Sequence, residues 1–164
     1  MRTVLPTNSA LAIFWWGAYT VLGIWAHRTV PGIDVFAPAL IVSLQEESGQ
    51  RTSVLAVIWI LLIEGTGNLP FGYGLAWYGL LAAAFFAGRW LFEARSYLFM
   101  VLLGLWLGLL HPVLVYGLSS LANLEVPMRP VLIQGAIQAA VFPVIWFLID
   151  YFFPKRLRHD VRPL

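Results

Sequence analysis

From Ser96 to Leu124, and again from Pro130 to Ile149, the chain carries no Asp, Glu, Lys or Arg. A bilayer core needs about 20 apolar residues as a helix, so each stretch predicts a membrane-crossing helix and together they predict a hairpin. Apolar stretches at Ala10–Ala26 and Phe71–Gly88 predict two more helices. Two shorter ones, Val35–Leu44 and Ser53–Glu64, flank the polar sequence Gln45-Glu46-Glu47-Ser48-Gly49-Gln50-Arg51. They predict either a pair of spans whose ends project from the membrane or a re-entrant hairpin. The elements are then helices over about 10–26, 35–47, 52–65, 71–91, 96–122 and 130–153, with a basic tail at 154–164. This is an all-α polytopic membrane protein of about six transmembrane helices in one compact bundle.

Composition agrees with that pattern. Hydrophobic residues make up 60% of the 164 residues and charged ones 11%, against roughly 25% charged in soluble domains. The long apolar stretches leave only short connections and no room for an extramembrane catalytic domain. With no cysteine, disulfides, thiolate metal sites and cysteine nucleophiles are excluded. The first helix lacks signal-peptide character: it holds Trp15, Trp16 and Trp25 and is followed by His27-Arg28, not by a small-residue cleavage site.

Charge placement matters more than the net +2. With both termini cytoplasmic, the six-span order puts Arg2, Arg51, Arg89, Arg95, Lys155, Arg156, Arg158 and Arg162 inside and only Arg28 and Arg129 outside, a positive-inside bias. The cationic tail reads as a contact to anionic lipid, not to nucleic acid.

Small residues recur at four-residue spacing: Gly79, Ala83 and Ala87; Gly104 and Gly108; Gly135 and Ala139. Such stripes let helices approach closely in lipid, within the monomer or between partners. Trp16, Trp59, Trp77 and Trp106 fall mid-span, where packing or a cofactor or lipid pocket would use them. Among ionisable groups, Glu64 ends an apolar run with no nearby base, so it predicts a coupling site for protons or ligand, an interfacial helix end, or a buried hydrogen bond. His111, beside Pro112, predicts a hydrogen-bonded kink; with only His27 as a conceivable partner, a haem site is disfavoured. Asp150 predicts a surface ion pair with Lys155 or Arg156. Asp34, Glu125 and Arg129 mark outward loops where a charged contact to a partner could form. No cluster has metal-ligand spacing and no phosphate-binding or dinucleotide fingerprint occurs; a non-enzymatic protein without cofactor is expected.

Val126-Pro127-Met128-Arg129-Pro130, then Gln134-Gly135 and Val141-Phe142-Pro143-Val144 before a short basic tail, together with Glu64, Asn68 and Gly72 ahead of an alanine-rich helix, resemble the bacterial rod shape-determining protein MreD family. The resemblance implies a six-helix inner-membrane protein with cytoplasmic termini. It would be a scaffold of the cell-wall elongation machinery beside the bitopic protein MreC, the filament protein MreB, the glycosyltransferase RodA and a class B penicillin-binding protein. That family is also similar in structure to the substrate-binding subunits of energy-coupling-factor transporters, which implies a vitamin- or metal-binding subunit as the alternative. Glu64, Asn68, Gly104, Gly108, His111, Arg129, Pro130, Gly135 and Pro143 are the candidate partner or structural positions.

Overall fold

The computed structural model describes residues 6–30, 32–66, 72–121 and 123–158. Six helices follow one another: α1 (Pro6–Thr29), α2 (Phe36–Glu46), α3 (Gly49–Thr66), α4 (Tyr73–Gly88), α5 (Tyr97–Leu121) and α6 (Met128–Phe152). Three of them, over Ser9–Thr29, Tyr97–Leu121 and Met128–Phe152, are long and apolar enough to cross a membrane. Their outward faces carry Phe14, Trp25, Leu109, Val113, Phe147 and Tyr151, each more than half exposed. An apolar perimeter of this extent is what lipid covers.

Helix boundaries differ from the apolar stretches in a consistent way. α1 begins at Pro6, where proline's fixed φ suits the first helical position, and continues through His27-Arg28, because helix propensity is indifferent to the charge that ends an apolar stretch. α3 likewise begins at Gly49, so Gln50, Arg51 and Thr52 form its first turns and the break from α2 is reduced to Glu47-Ser48. α6 starts two residues before Pro130, which sits in the first turn where its missing N–H breaks no bond. α4 is shorter than expected, ending at Gly88 with a turn through Trp90 and Leu91, both exposed. The chain reverses after α5 at Asn123, whose φ of +53° is the left-handed conformation asparagine tolerates at helix ends.

The tightest pairing is α5 against α6, and small residues cause it. A Cβ on Gly104 would come 2.7 Å from the Ala139 carbonyl oxygen, and one on Gly108 would come 2.7 Å from Ala139 Cβ and 2.8 Å from the Gly135 oxygen. Pro143 lies against the same seam, its Cδ 3.2 Å from the position of a Gly104 Cβ. The stripe on α4 is different: a Cβ on Gly79 would meet nothing within 4 Å. α2 packs on α6, α3 and α4 and is buried over most of its length. Its 11 residues span only about 16 Å, half of the ~30 Å hydrocarbon core.

α1 is the outlier. Only 17% of its apolar stretch is buried, against 44% for α5 and 33% for α6, and it has no extensive backbone packing with another helix, although Gly23 lies so close to the Phe36 ring that a Cβ there would clash with it. Long side chains bridge the gap. Trp16 packs edge-on against Trp59 with ring centroids 5.7 Å apart, and Trp59 stacks on Phe36 at 5.6 Å. Open grooves remain on both flanks of α1, about 620 Å³ toward α3 and about 420 Å³ toward α6.

Candidate functional site

The polar groups inside the bundle gather at two levels. The inner one is built around Asp34, in the connection that leads into α2. One carboxylate oxygen, Oδ1, accepts from the Phe36 and Ala37 backbone N–H groups at 2.8 and 3.3 Å and from the Tyr78 hydroxyl at 3.2 Å; Oδ2 accepts from Trp77 Nε1 at 2.8 Å. Asp34 thereby caps α2, a helix whose N-cap residue, Val35, makes no side-chain cap bond. The first-turn N–H groups need such an acceptor. Gln138 of α6 then grips the Asp34 backbone from the other side: its Oε1 accepts from the Asp34 N–H at 2.8 Å and its Nε2 donates to the Asp34 carbonyl at 3.0 Å.

Asp34 is therefore no free loop acid. It is partly buried and turned inward, which corrects the expectation of an outward charged contact. The cause is the shortness of α2. The chain leaving α1 must descend to meet it, and Asp34 goes with the descending segment. His27 Nδ1 meets the Ile33 carbonyl at 3.2 Å and the Tyr19 hydroxyl donates to the Val35 carbonyl at 2.6 Å, holding that segment against α1. Gly32, at φ +90°, passes so close to Gln134 that a Cβ would sit 2.8 Å from its Cγ; only glycine suits both the conformation and the approach.

A second chain of contacts adjoins the first. Tyr73 stacks on Trp77 with centroids 5.6 Å apart, and the Tyr73 hydroxyl lies 2.7 Å from His111 Nδ1. His111 Nε2 is 3.4 Å from Gln134 Oε1. With that oxygen as acceptor, Nε2 carries the ring proton and Nδ1 accepts from Tyr73. The histidine expected at a kink is thus a bridge between α4 and α6. Among the described residues, no three His, Cys, Asp or Glu side chains group to hold a metal ion.

The other level lies at the junction of α2 and α3 and at the turn from α4 to α5. Glu46, almost fully buried, pairs with Arg95. Gln45 donates to the Ala94 carbonyl and accepts from Trp146 Nε1 at 3.3 Å. Glu47 pairs with Arg51 at 3.2 Å and accepts from Trp16 Nε1 at 3.0 Å, while Arg51 also donates to Ser9 Oγ at 2.8 Å. Asp150 finds its ion pair in Arg158, at 3.4 Å, and not in Lys155 or Arg156, both exposed. Lys155 would need a continued helix to come back near Asp150, whereas the chain leaves α6 at Phe152 and folds Arg158 over the end.

The remaining sequence candidates are scattered. Glu64 sits in the last turns of α3 facing Gly74, and its Oε1 is buried without a hydrogen-bond partner among the described residues. Asn68 lies outside the described residues. Gly104, Gly108, Gly135 and Pro143 share the α5–α6 seam. Arg129 and Pro130 are exposed at the start of α6. Of the mid-span tryptophans, Trp16, Trp59 and Trp77 are buried and Trp106 is 45% exposed. Sequence reading missed Tyr73, Tyr78 and Gln138, and named Gln134 only within the resemblance. A signal for the glutamines was present: they are four residues apart, on one face of an otherwise apolar helix, where an amide needs a partner.

No family model, no curated protein and no solved structure matches this chain.

Proposed function

We propose that this protein is a non-enzymatic scaffold of the bacterial inner membrane, of the MreD kind, that holds a bitopic MreC-like protein and the peptidoglycan synthases of the elongation machinery together. In this reading all six helices enter the membrane, both termini and the Glu46–Arg95 level face the cytoplasm, and the eight-to-two distribution of basic residues sets the orientation. The observation that supports it most is the position of α6. The segment carrying the resemblance, Val126 to Val144, supplies the helix that packs on both α5 and α2, with Gly135 and Pro143 in the seam and Arg129 and Pro130 exposed at its end. A rigid inner pair beneath a broad apolar perimeter suits a protein that works by holding others. The test is co-purification from native membranes together with depletion in the native host. An MreC-like partner and rounded cells are expected; normal shape and wall synthesis on depletion would remove the reading.

One observation favours a second reading, a small-ligand binding subunit of an energy-coupling-factor type transporter. Tyr73, Trp77, Tyr78 and His111 converge with Asp34 deep in the bundle, an aromatic and polar grouping of the sort that orients ligands. A thermal-shift screen with vitamins and divalent metals separates the two: stabilisation by one compound supports the transporter reading, and none supports the scaffold.

A further inference from the structure

We propose that the groove between α1 and α3 is a binding site for one acyl chain of an anionic glycerophospholipid whose phosphate is held at Arg51. This rests on the chain lying in a bilayer and not on the scaffold reading. The groove is walled by Ala12, Ile13, Gly17, Val54, Leu55 and Ile58, and only its end at Gln50 and Arg51 is strongly polar. Its volume of about 620 Å³ falls within the roughly 300–1,000 Å³ of small-molecule sites.

Length selects the occupant. From Ala12 to Thr20 the groove follows α1 for about 12 Å at 1.5 Å per residue, starting from the charged end. One leaflet of a ~30 Å core is about 15 Å deep, so the groove accommodates one acyl chain reaching toward the midplane. A partner's transmembrane helix would need the full depth.

Charge selects the headgroup. Arg51 spends one donor on Glu47 and one on Ser9; a guanidinium has five, and the side chain is 40% exposed. Arg51 lines that end of the groove, and a guanidinium fork matches phosphate oxygens. Glu47 neutralises part of the charge, which limits the preference for anionic lipid but leaves the donors. The groove on the other flank of α1 has no charged residue in its lining, so it offers a headgroup nothing.

The site is also braced open. Trp16, tied to Glu47, and Trp59, tied to Thr20 Oγ1 at 3.0 Å, keep α1 at a distance from α3. Gly17 on the wall faces space: a Cβ there would meet nothing within 4 Å. Gly17→Leu therefore fills the groove without disturbing the fold.

The experiment is native mass spectrometry of the full chain in mild detergent, titrated with phosphatidylglycerol or with phosphatidylcholine of the same acyl chains, with thermal unfolding recorded for each variant. Wild type is expected to retain one phosphatidylglycerol at lower concentration than phosphatidylcholine, and inorganic phosphate is expected not to displace it. Gly17→Leu should melt as wild type does and weaken retention by about tenfold, because the leucine side chain occupies space the acyl chain needs. Arg51→Gln should bind both lipids alike. Equal retention by wild type and Gly17→Leu overturns the proposal. So does equal binding of the two lipids by wild type, or displacement by phosphate alone. Cross-linking of a cysteine placed at position 17 to another polypeptide in native membranes would also overturn it, assigning the groove to a protein.

Discussion

Asp34 shows how one side chain can organise a bundle. Its carboxyl group accepts from two backbone N–H groups, an indole and a phenol, and such hydrogen bonds offset part of the cost of holding it away from water. No Lys or Arg pairs with it among the described residues. Asp34→Ala removes the cap of α2 and strands Trp77 Nε1 and the Tyr78 hydroxyl, so it should cost about 2–4 kcal/mol in detergent unfolding. Asp34→Asn, which keeps an acceptor, should cost roughly half as much. Gln138→Leu should destabilise by about 1–2 kcal/mol, and Gln134→Leu by less, since Gln134 meets His111 at only 3.4 Å. A reversed order of the two would show that the His111 contact outweighs the backbone clamp. None of this was visible from counting charges. Asp34 stood between apolar stretches and resembled a loop residue, and glutamine escapes any search restricted to ionisable groups. The legible clue was local: an acid two residues before Phe36-Ala37-Pro38, one position ahead of the usual capping residue and still within reach of the first-turn N–H groups.

Helices were easier to read than their uses. The two long uncharged stretches became α5 and α6, and the stripe of small residues between them became a close seam, because small side chains are the direct cause of close approach. The same spacing on α4 led to no such contact at Gly79, which shows that a stripe permits packing without specifying a neighbour. The contrast can be measured. Gly108→Ala forces a methyl against Ala139 and the Gly135 carbonyl and should cost about 1–3 kcal/mol in detergent unfolding. Gly79→Ala enters open space and should be neutral or stabilising by about 0.5 kcal/mol. α2 was the least legible element. Its apolar pattern is indistinguishable from that of a truncated span, and only the tertiary setting, with the preceding segment drawn down to meet it, explains why an 11-residue helix suffices.

At the scale of the whole molecule, orientation is the property most open to a direct check. The absence of cysteine allows single cysteines to be introduced on an unreactive background. With the orientation proposed above, a cysteine at Glu125 should react with an impermeant maleimide in intact spheroplasts, and one at Trp90 only after permeabilisation. The opposite pattern would invert the assignment of both polar levels. The loose attachment of α1 also bears on how the chain is made. A helix that leaves Phe14, Val21, Leu22 and Trp25 exposed and is long and apolar enough to cross can settle in the bilayer by itself, before the segments it leans on exist. α2 has no such independence: too short to cross, and capped by an acid that needs Trp77, Tyr78 and Gln138, it must wait for α4 and α6 to be synthesised. Of these helices, α1 would then insert autonomously, whereas α2 would enter in a concerted closure, in which α6 places it inside.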